Sequence, residues 1–409
     1  MDRFVKPVYL DADKCNGCVA CMRRCPTEAI RVRDGKAQVM YERCVGCGEC
    51  VKVCPTHAKK ESCDGFESRK KFKYTVALAC PSIYGQFNHL DNLDYVLNGI
   101  KRLGFDDVCD VGHYARYVSA ATTEYIKSSG AAKPVISSAC PAILNLIRMR
   151  YAHLLDHLSP MKQPEEIAAA AAARKAEQTT HLAREDIGIF LITHCAANTM
   201  NRSDASDLNE IDGFISLKEI YFQLLTEMNK LKSCDLERLA SADALGVSWG
   251  CSTGEAMGLG TKKFIVADGI ENVMTVLGDL EHDKLGDIDF LELNACTQGC
   301  VGGSMNLENP FLARMRLRLF REKLPLEPPN DYGGMEAYMR SRPYSSRESA
   351  FRLSENRQEA IKKMIRIKQI YEKLPHINCG NCGAPTCMAF AEDVVNGLAV
   401  KCKFLKEDI

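Results

Sequence analysis

Two stretches near the amino terminus carry the same pattern of thiols. Cys15, Cys18, Cys21 and Cys25 run into Pro26, and Cys44, Cys47, Cys50 and Cys54 run into Pro55. Three closely spaced thiolates can hold three irons of one [4Fe–4S] cube. In the two-cluster bacterial pattern the fourth cysteine of each run crosses to the other cube. That pattern assigns Cys15, Cys18, Cys21 and Cys54 to one cube and Cys44, Cys47, Cys50 and Cys25 to the other. Gly17, Gly46 and Gly48 allow the backbone to wrap tightly around such a group. Zinc or disulfides would be the plainer reading, and two copies at this spacing argue against it.

Two further sets follow. Near the carboxyl terminus, Cys379, Cys382, Cys387 and Cys402 lie among Gly380, Gly383 and Pro385. Four thiolates so placed suit a third cube, with a four-thiolate zinc site as the alternative. In the middle of the chain, Cys140, Cys195, Cys296 and Cys300 each follow an apolar run. Loops at the carboxyl ends of parallel strands are where open α/β folds build their sites, so these four could meet around one interior cube.

The elements that must position them divide the chain in three. Residues 1–65 form the doubled cysteine unit, an α+β bacterial ferredoxin-like domain. Residues 66–345 form an α/β domain with two mostly parallel sheets and flanking helices. Residues 346–409 form a linker helix and a small helical iron–sulfur module. In the middle domain strand-like runs at Tyr74–Ala79, Pro134–Ser137, Ile187–Thr193, Lys263–Ala267 and Ile288–Leu293 alternate with helical stretches at Ala142–His157 and Glu219–Leu231, the pattern of a parallel sheet. Pro164 followed by Glu165 and Glu166 predicts a helix start. Residues from about 308 to 375 read as polar and helical, a strap across the main domain.

Composition limits the partners. The 409 residues hold 21 cysteines, and Lys+Arg and Asp+Glu balance at 53 each, so no basic excess points to nucleic acid. No apolar run nears the ~20 residues of a membrane span, and Met1–Lys6 has no apolar leader. Clustered cysteines without a secretion signal favour metal over disulfides. The cytoplasm of an anaerobe is the expected setting.

The central segments resemble the catalytic domain of [FeFe]-hydrogenases, and the whole layout is similar to the divergent, sensory type of that family. The resemblance implies that Cys140, Cys195, Cys296 and Cys300 ligate the cubane of an H-cluster. Cys300 would bridge to a diiron subcluster with CO, cyanide and azadithiolate ligands, a part absent from unmaturated protein. Cys80-Pro81-Ser82, Glu165 at a family glutamine position, and the Trp249-Gly250-Cys251-Ser252-Thr253-Gly254 loop match further family segments. The departures are as informative. The family's proton-passing cysteine is Ala139 here, its cyanide-binding lysine is Asn198, and a methionine beside the cluster is Asn294. Cys80, Cys251, Glu165 and His194 could substitute in proton transfer, and Glu124 is the remaining acid candidate. General acid–base help is worth ~10²–10⁴-fold in rate, so this chain is expected to be slow.

The resemblance therefore implies slow, reversible H2 oxidation and proton reduction used for sensing, with electrons relayed through three accessory [4Fe–4S] clusters. The alternative is a hydrogenase-like protein that carries only cubanes, in electron transfer or iron–sulfur assembly. Implied partners are H2 and protons, a ferredoxin or a signalling kinase or phosphatase, and the hydrogenase maturases. Nucleic acid and membrane are excluded, and a homodimer is compatible. Outside the ligand sets, Cys63, Cys109 and Cys234 are expected to be small buried hydrophobes. His113 and Trp249 are most simply structural, and Arg357–Lys373 reads as a solvated helix.

Overall fold

The computed structural model describes residues 6–202, 210–347, 351–399 and 402. The stretch Met1–Val5, part of the segment read for a leader, lies outside them. The doubled cysteine unit folds as two interlocked halves. The first half contains β1 (Val8–Leu10), α1 (Ala20–Arg23) and β2 (Ile30–Arg33), and the second contains β3 (Lys36–Val39), α2 (Glu49–Lys52) and β4 (Lys59–Glu61). β1 pairs antiparallel with β4, and β2 with β3. Because the first strand closes against the last, the final cysteine of each half returns to the other half's loop.

The middle domain contains β5 (Tyr74–Ala79), α3 (Asp94–Arg102), β6 (Asp107–Asp110), α4 (Gly112–Lys127), β7 (Val135–Ile136), α5 (Pro141–Arg150), α6 (Pro164–Thr180), β8 (Ile187–Thr193), β9 (Gly213–Ser216), α7 (Leu217–Lys230), α8 (Ala244–Ser248), β10 (Phe264–Asp268), α9 (Ile270–Glu281), β11 (Phe290–Asn294) and α10 (Pro310–Lys323). Two all-parallel sheets result, ordered β6-β5-β8-β9 and β10-β11-β7. Every residue of β8 is buried, as expected where helices cover both faces of a parallel sheet. The alanines of α6 pack on β5 and β8, and small side chains let that helix approach closely. Its start is fixed by Pro164 at the first turn and a capping box between Gln163 and Glu166, which satisfies two otherwise orphaned amides.

Three expectations change. β6 and β9 were not predicted, because four-residue segments with polar ends carry little periodic signal. The stretch Ala142–His157 is not one helix. α5 stops at Arg150, Tyr151 leaves the helical region (φ −128°, ψ 42°), and Ala152–His157 winds as a tighter 3-10 turn. That break returns the chain to β7, where the Ser159 amide donates to the Ile136 carbonyl at 2.8 Å.

The segment from 308 to 375 is also not a continuous polar helix. α10 buries Ala313, Leu317 and Phe320 in the core of the four-stranded sheet. Pro325, Pro328 and Pro329 then forbid helix. The chain continues in extended form, crossing the domain through the Lys162 amide to the Tyr338 carbonyl, Arg340 to Pro160, and Arg347 to Arg148. After a short 3-10 turn at Met335–Tyr338, α-helix resumes at α11 (Arg357–Glu372), which packs on α12 (Cys387–Val395). α11 buries only Ile367 and Ile370.

The carboxyl-terminal module is clamped onto the amino-terminal unit. Val32 donates its amide to the Gly383 carbonyl at 2.9 Å. Arg31 meets Asp393 at 2.7 Å with both side chains buried, Arg33 shares that carboxylate, and Arg43 pairs with Glu392.

Candidate metal centre

The parallel sheets aim their carboxyl ends at one place. Cys80 follows β5 and Cys195 follows β8 in one sheet; Cys140 follows β7 and Cys296 follows β11 in the other. Cys300 lies one short turn beyond Cys296. The four predicted ligands converge. Cys195 feels the charges of Cys296 and Cys140, and Cys300 those of Cys140, Cys195 and Cys296. Three strands deliver the four sulfurs, β11 supplying both Cys296 and Cys300, so the meeting point depends on how β7, β8 and β11 are placed in the two sheets.

The local backbone prepares these sulfurs to be anions. Amides of Ala142 and Ile143 at the start of α5, with that of Ala295, are directed to Cys140, and those of Ala197 and Asn198 to Cys195. Amide donors and a helix amino terminus favour thiolate. Burial nevertheless pushes Cys140, Cys195 and Cys300 above the ordinary thiol range. Four thiolates cannot share so dry a space unless a cationic core compensates them, because desolvation and mutual repulsion both oppose ionisation. The donor set therefore fits an iron–sulfur cube. A Cβ on Gly303 would lie 2.3 Å from the His194 carbonyl oxygen, so only glycine lets the Cys300 turn close on the Cys195 loop.

Beside Cys300 lies a cavity of about 40 Å³ lined by residues of both sheets. Nearly all the predicted site residues reach it: Cys80, Pro81, Ser82, Ala139, Glu165, His194, Trp249, Cys251, Asn294 and Cys300. Cys80 donates toward Glu165 Oε1 at 3.7 Å, and burial raises the pKa of both groups. His194 Nδ1 pairs with Ser82 Oγ at 2.9 Å. Burial drops its pKa to about 4, so the ring is neutral near pH 7. Trp249 is half-buried and donates Nε1 to Ser119 Oγ; it walls the cavity as well as filling core. Cys251 sits between the cavity and an outward groove lined by Arg314, Arg318 and Arg321.

Asn198 is not brought to the cavity. Its amide is spent on Thr193 Oγ1 at 3.0 Å, a bond within the Cys195 turn. Glu124 is exposed and accepts from Tyr332, away from the cavity. His113 is structural as expected, bonded to the Ser241 carbonyl and to Arg116. Cys63 and Cys109 are half-buried, whereas Cys234 is exposed beside Asp235, because the short turn Ser233–Asp235 buries none of its residues.

Two acids at the cavity were missed. Glu255 and Glu292 are buried and line it. Burial and the neighbouring Glu292 lift the Glu255 pKa to about 8. Glu255 accepts a short hydrogen bond from Ser137, whose Oγ also accepts from the Ala139 amide. Glu292 accepts from the amides of Thr253 and Ala256 and from Asn294. The signal was available: Glu292 is the one acid in β11, set between Leu291 and Leu293, and Glu255 directly follows the Trp249–Gly254 loop.

In the amino-terminal unit the sulfurs sort as the crossing pattern requires. Cys21 feels Cys18, Cys54 and Cys15, whereas Cys47 feels Cys25, Cys50 and Cys44. The second loop abuts the central site. Cys47 packs in the same core as Cys140 and Cys195. A Cβ on Gly46 would lie 2.8 Å from Ala197 Cα, so glycine sets this close approach. In the carboxyl-terminal module Cys382 feels Cys402 and Cys379, and Cys387 lies with Cys402 in one core.

Comparison with known proteins agrees with this layout. The model for the iron only hydrogenase large subunit, C-terminal domain, matches residues 73–258 and 252–304. A 4Fe-4S dicluster model matches residues 7–55, and an Fe-S cluster model residues 374–403. Iron hydrogenase 1 of Clostridium pasteurianum is 21% identical over 162 residues, covering 36% of this chain and 28% of that protein. The cytosolic Fe-S cluster assembly factor NAR1 homolog of Schizosaccharomyces japonicus is 25% identical over 133 residues, covering 31% of this chain and 26% of that protein. The matched segment thus spans about a quarter of the length of either curated relative. A solved [FeFe]-hydrogenase structure, from work on oxygen inactivation of the H cluster, superposes with a TM-score of 0.50 at 15% identity. It covers 67% of this chain and 94% of that one, a likeness of fold. With the hydrogenase domain spanning more than half of its length and iron–sulfur domains at either end, the chain belongs to the [FeFe]-hydrogenase family.

Proposed function

We propose that this chain is a slow, reversible hydrogenase whose redox state serves as an H2 signal. The observation that carries the reading is the cavity at Cys300. It keeps Cys80, Pro81 and Ser82 on its wall yet has only the methyl of Ala139 where the family carries a proton-passing thiol. When bound, an H-cluster would supply the splitting and formation of H2 and pass electrons to its cubane. Cys140, Cys195, Cys296 and Cys300 would hold it.

The chain's own groups then determine how protons move. At pH 7 Glu255, with its pKa near 8, holds its proton. It stands against Glu292 and is tied through Ser137 to the backbone at Ala139. Two buried carboxyls whose environments separate their affinities can share and pass one proton. Cys80 and Glu165 form a second donor–acceptor pair on the opposite wall. His194, neutral and locked to Ser82, orients that wall and carries no charge. Such a relay is less direct than a thiol at position 139, which supports low turnover.

For electrons, the loop of Cys47 lies against the central site, and the module holding Cys379 and Cys382 is bolted to the first half of the ferredoxin-like unit. A redox change at the centre can thus reach the far end, where a signalling partner would read it. Among the described residues no helix is long and apolar enough to cross a membrane.

Infrared spectra after loading with a synthetic diiron cofactor test the reading. Bands of iron-bound CO and cyanide, with slow H2 evolution, are the expected result. The likeness to an assembly factor supports the second reading, a cubane-only protein. Loaded protein without those bands would favour it and end the hydrogenase proposal.

A further inference from the structure

The two halves of the ferredoxin-like unit close on matching cysteine–proline turns, and within those turns one buried position differs in charge. Cys25-Pro26-Thr27-Glu28-Ala29-Ile30 and Cys54-Pro55-Thr56-His57-Ala58-Lys59 occupy equivalent positions. In each, the alanine amide donates to the cysteine Sγ at 3.2 Å and the threonine hydroxyl lies 3.7 Å from it. Glu28 and His57 share the same left-handed turn, with φ of 52° and 51°. The residue two positions after each of these is 2% exposed in both halves. In the first half it is isoleucine, and in the second it is lysine.

Lys59 Nζ is fully buried and has no hydrogen-bond partner among the described residues. Its neighbour Lys60, by contrast, reaches Asp11 at 3.2 Å. A buried ammonium with no counter-charge costs several kcal/mol, so the position is tenable only if anions are supplied. The nearby candidates are the cysteine sulfurs. The Lys59 amide donates to Cys54 Sγ at 3.5 Å, and Leu10, directly opposite Lys59 in the β1–β4 pair, packs in one core with sulfurs of both ligand sets, Cys15 and Cys21 of one and Cys44 and Cys50 of the other. A cube held by four thiolates carries net negative charge, and taking up one electron makes it more negative. A fixed buried cation therefore favours the reduced form, one of the levers that set cluster potentials.

We infer that Lys59 is the counter-charge of the two ferredoxin-type cubes, holding their reduction potentials higher than an apolar residue at the same place would. The inference rests on the reading that this unit carries both cubes. Each reduction moves one electron and no proton. The repeat itself supplies the uncharged comparison, since Ile30 already fits the equivalent position.

The test uses the full chain with its cubes assembled anaerobically, as wild type and as Lys59→Ile, Lys59→Met and Lys59→Arg. Lys59→Met keeps the length of the side chain should isoleucine disturb packing. Iron and acid-labile sulfide are counted for each, and each is titrated with dithionite while electron paramagnetic resonance follows the reduced clusters. The expected result is unchanged loading, with Ile and Met variants showing about a tenfold lower reduced-to-oxidised ratio of the ferredoxin-type signals at fixed potential. For a one-electron couple that is a shift of about 59 mV toward more negative values. The arginine variant should titrate with wild type. Fully loaded Ile and Met variants that titrate with wild type would overturn the inference, as would an arginine variant displaced as far as isoleucine. A wild-type protein lacking iron for two cubes in this unit would instead overturn the two-cube reading itself.

Discussion

The cysteine sites at the two ends of the chain and the one in its middle are built on opposite plans. At the ends, short loops deliver most of a ligand set: Cys44, Cys47 and Cys50 fall within seven residues, and a short helix, α2, carries the last of them. In the middle, Cys140, Cys195, Cys296 and Cys300 come from three strand ends in two sheets. A local site survives distant changes because its geometry is set by neighbouring dihedrals. A convergent site needs the whole domain folded before its sulfurs meet, and in return it can be enclosed. The cavity next to Cys300 exists because the walls come from both sheets, and it holds Glu255 and Glu292 buried deeply enough for burial to raise their proton affinities.

The strongest way to break this contrast is to remove one sulfur from each kind of site. Cys300→Ser should abolish H2 turnover and cost roughly four irons, with the ferredoxin signals intact. Cys382→Ser should cost a similar amount of iron and leave turnover standing. Iron analysis beside H2 evolution checks both, and equal loss of activity would mean the central site is not the separate centre described here.

Next in size is Glu255→Gln, expected to slow turnover by ~10²–10⁴-fold without changing iron content. The same variant has a stability signature of definite sign. The folded pKa of Glu255, about 8, lies above its ordinary 4.5, so the folded state binds this proton more tightly. Stability from this group is therefore greatest below pH 4.5 and is lost as pH rises to about 8, with a slope near 1.4 kcal/mol per unit. Denaturant unfolding of wild type across that window should show the decline, and Glu255→Gln should flatten it.

Smaller still is the clamp at the carboxyl end. Asp393→Ala leaves Arg31 buried without its partner, a change of the kind that costs about 3–5 kcal/mol. That cost should fall on docking of the module, not on the central domain. Limited proteolysis should release a fragment from about residue 347 onward, while H2 turnover with an artificial electron carrier stays near wild type. The smallest effect is expected for Glu124→Gln. This exposed acid, bonded to Tyr332, should leave turnover within about twofold, and a larger drop would relocate the proton route.

Much of this arrangement was legible in the chain, and what was not had a physical cause. β5 and β8 were predicted residue for residue, since long uninterrupted apolar runs are what a doubly covered parallel strand requires. The start of α6 was equally clear from Pro164 and its acids. β6 and β9 were invisible because a four-residue strand is held by its neighbours in the sheet, not by its own pattern. The end of α5 at Arg150 is set by a tertiary need, the return to Ile136. Lys59 reads as one more lysine in a polar run, and only burial shows that its ammonium lies inside the domain.

By itself the sequence determined the identity and local grouping of the thiols, since ligand spacing within a loop is a matter of covalent reach. It also specified an α/β domain with mostly parallel strands, since long apolar runs report burial directly. Which distant sulfurs meet, which carboxyls face one another, and whether Asn198 points to the cavity or to Thr193 were decided only by the tertiary structure. Those distances are set by the packing of sheets whose relative placement no short stretch of residues encodes.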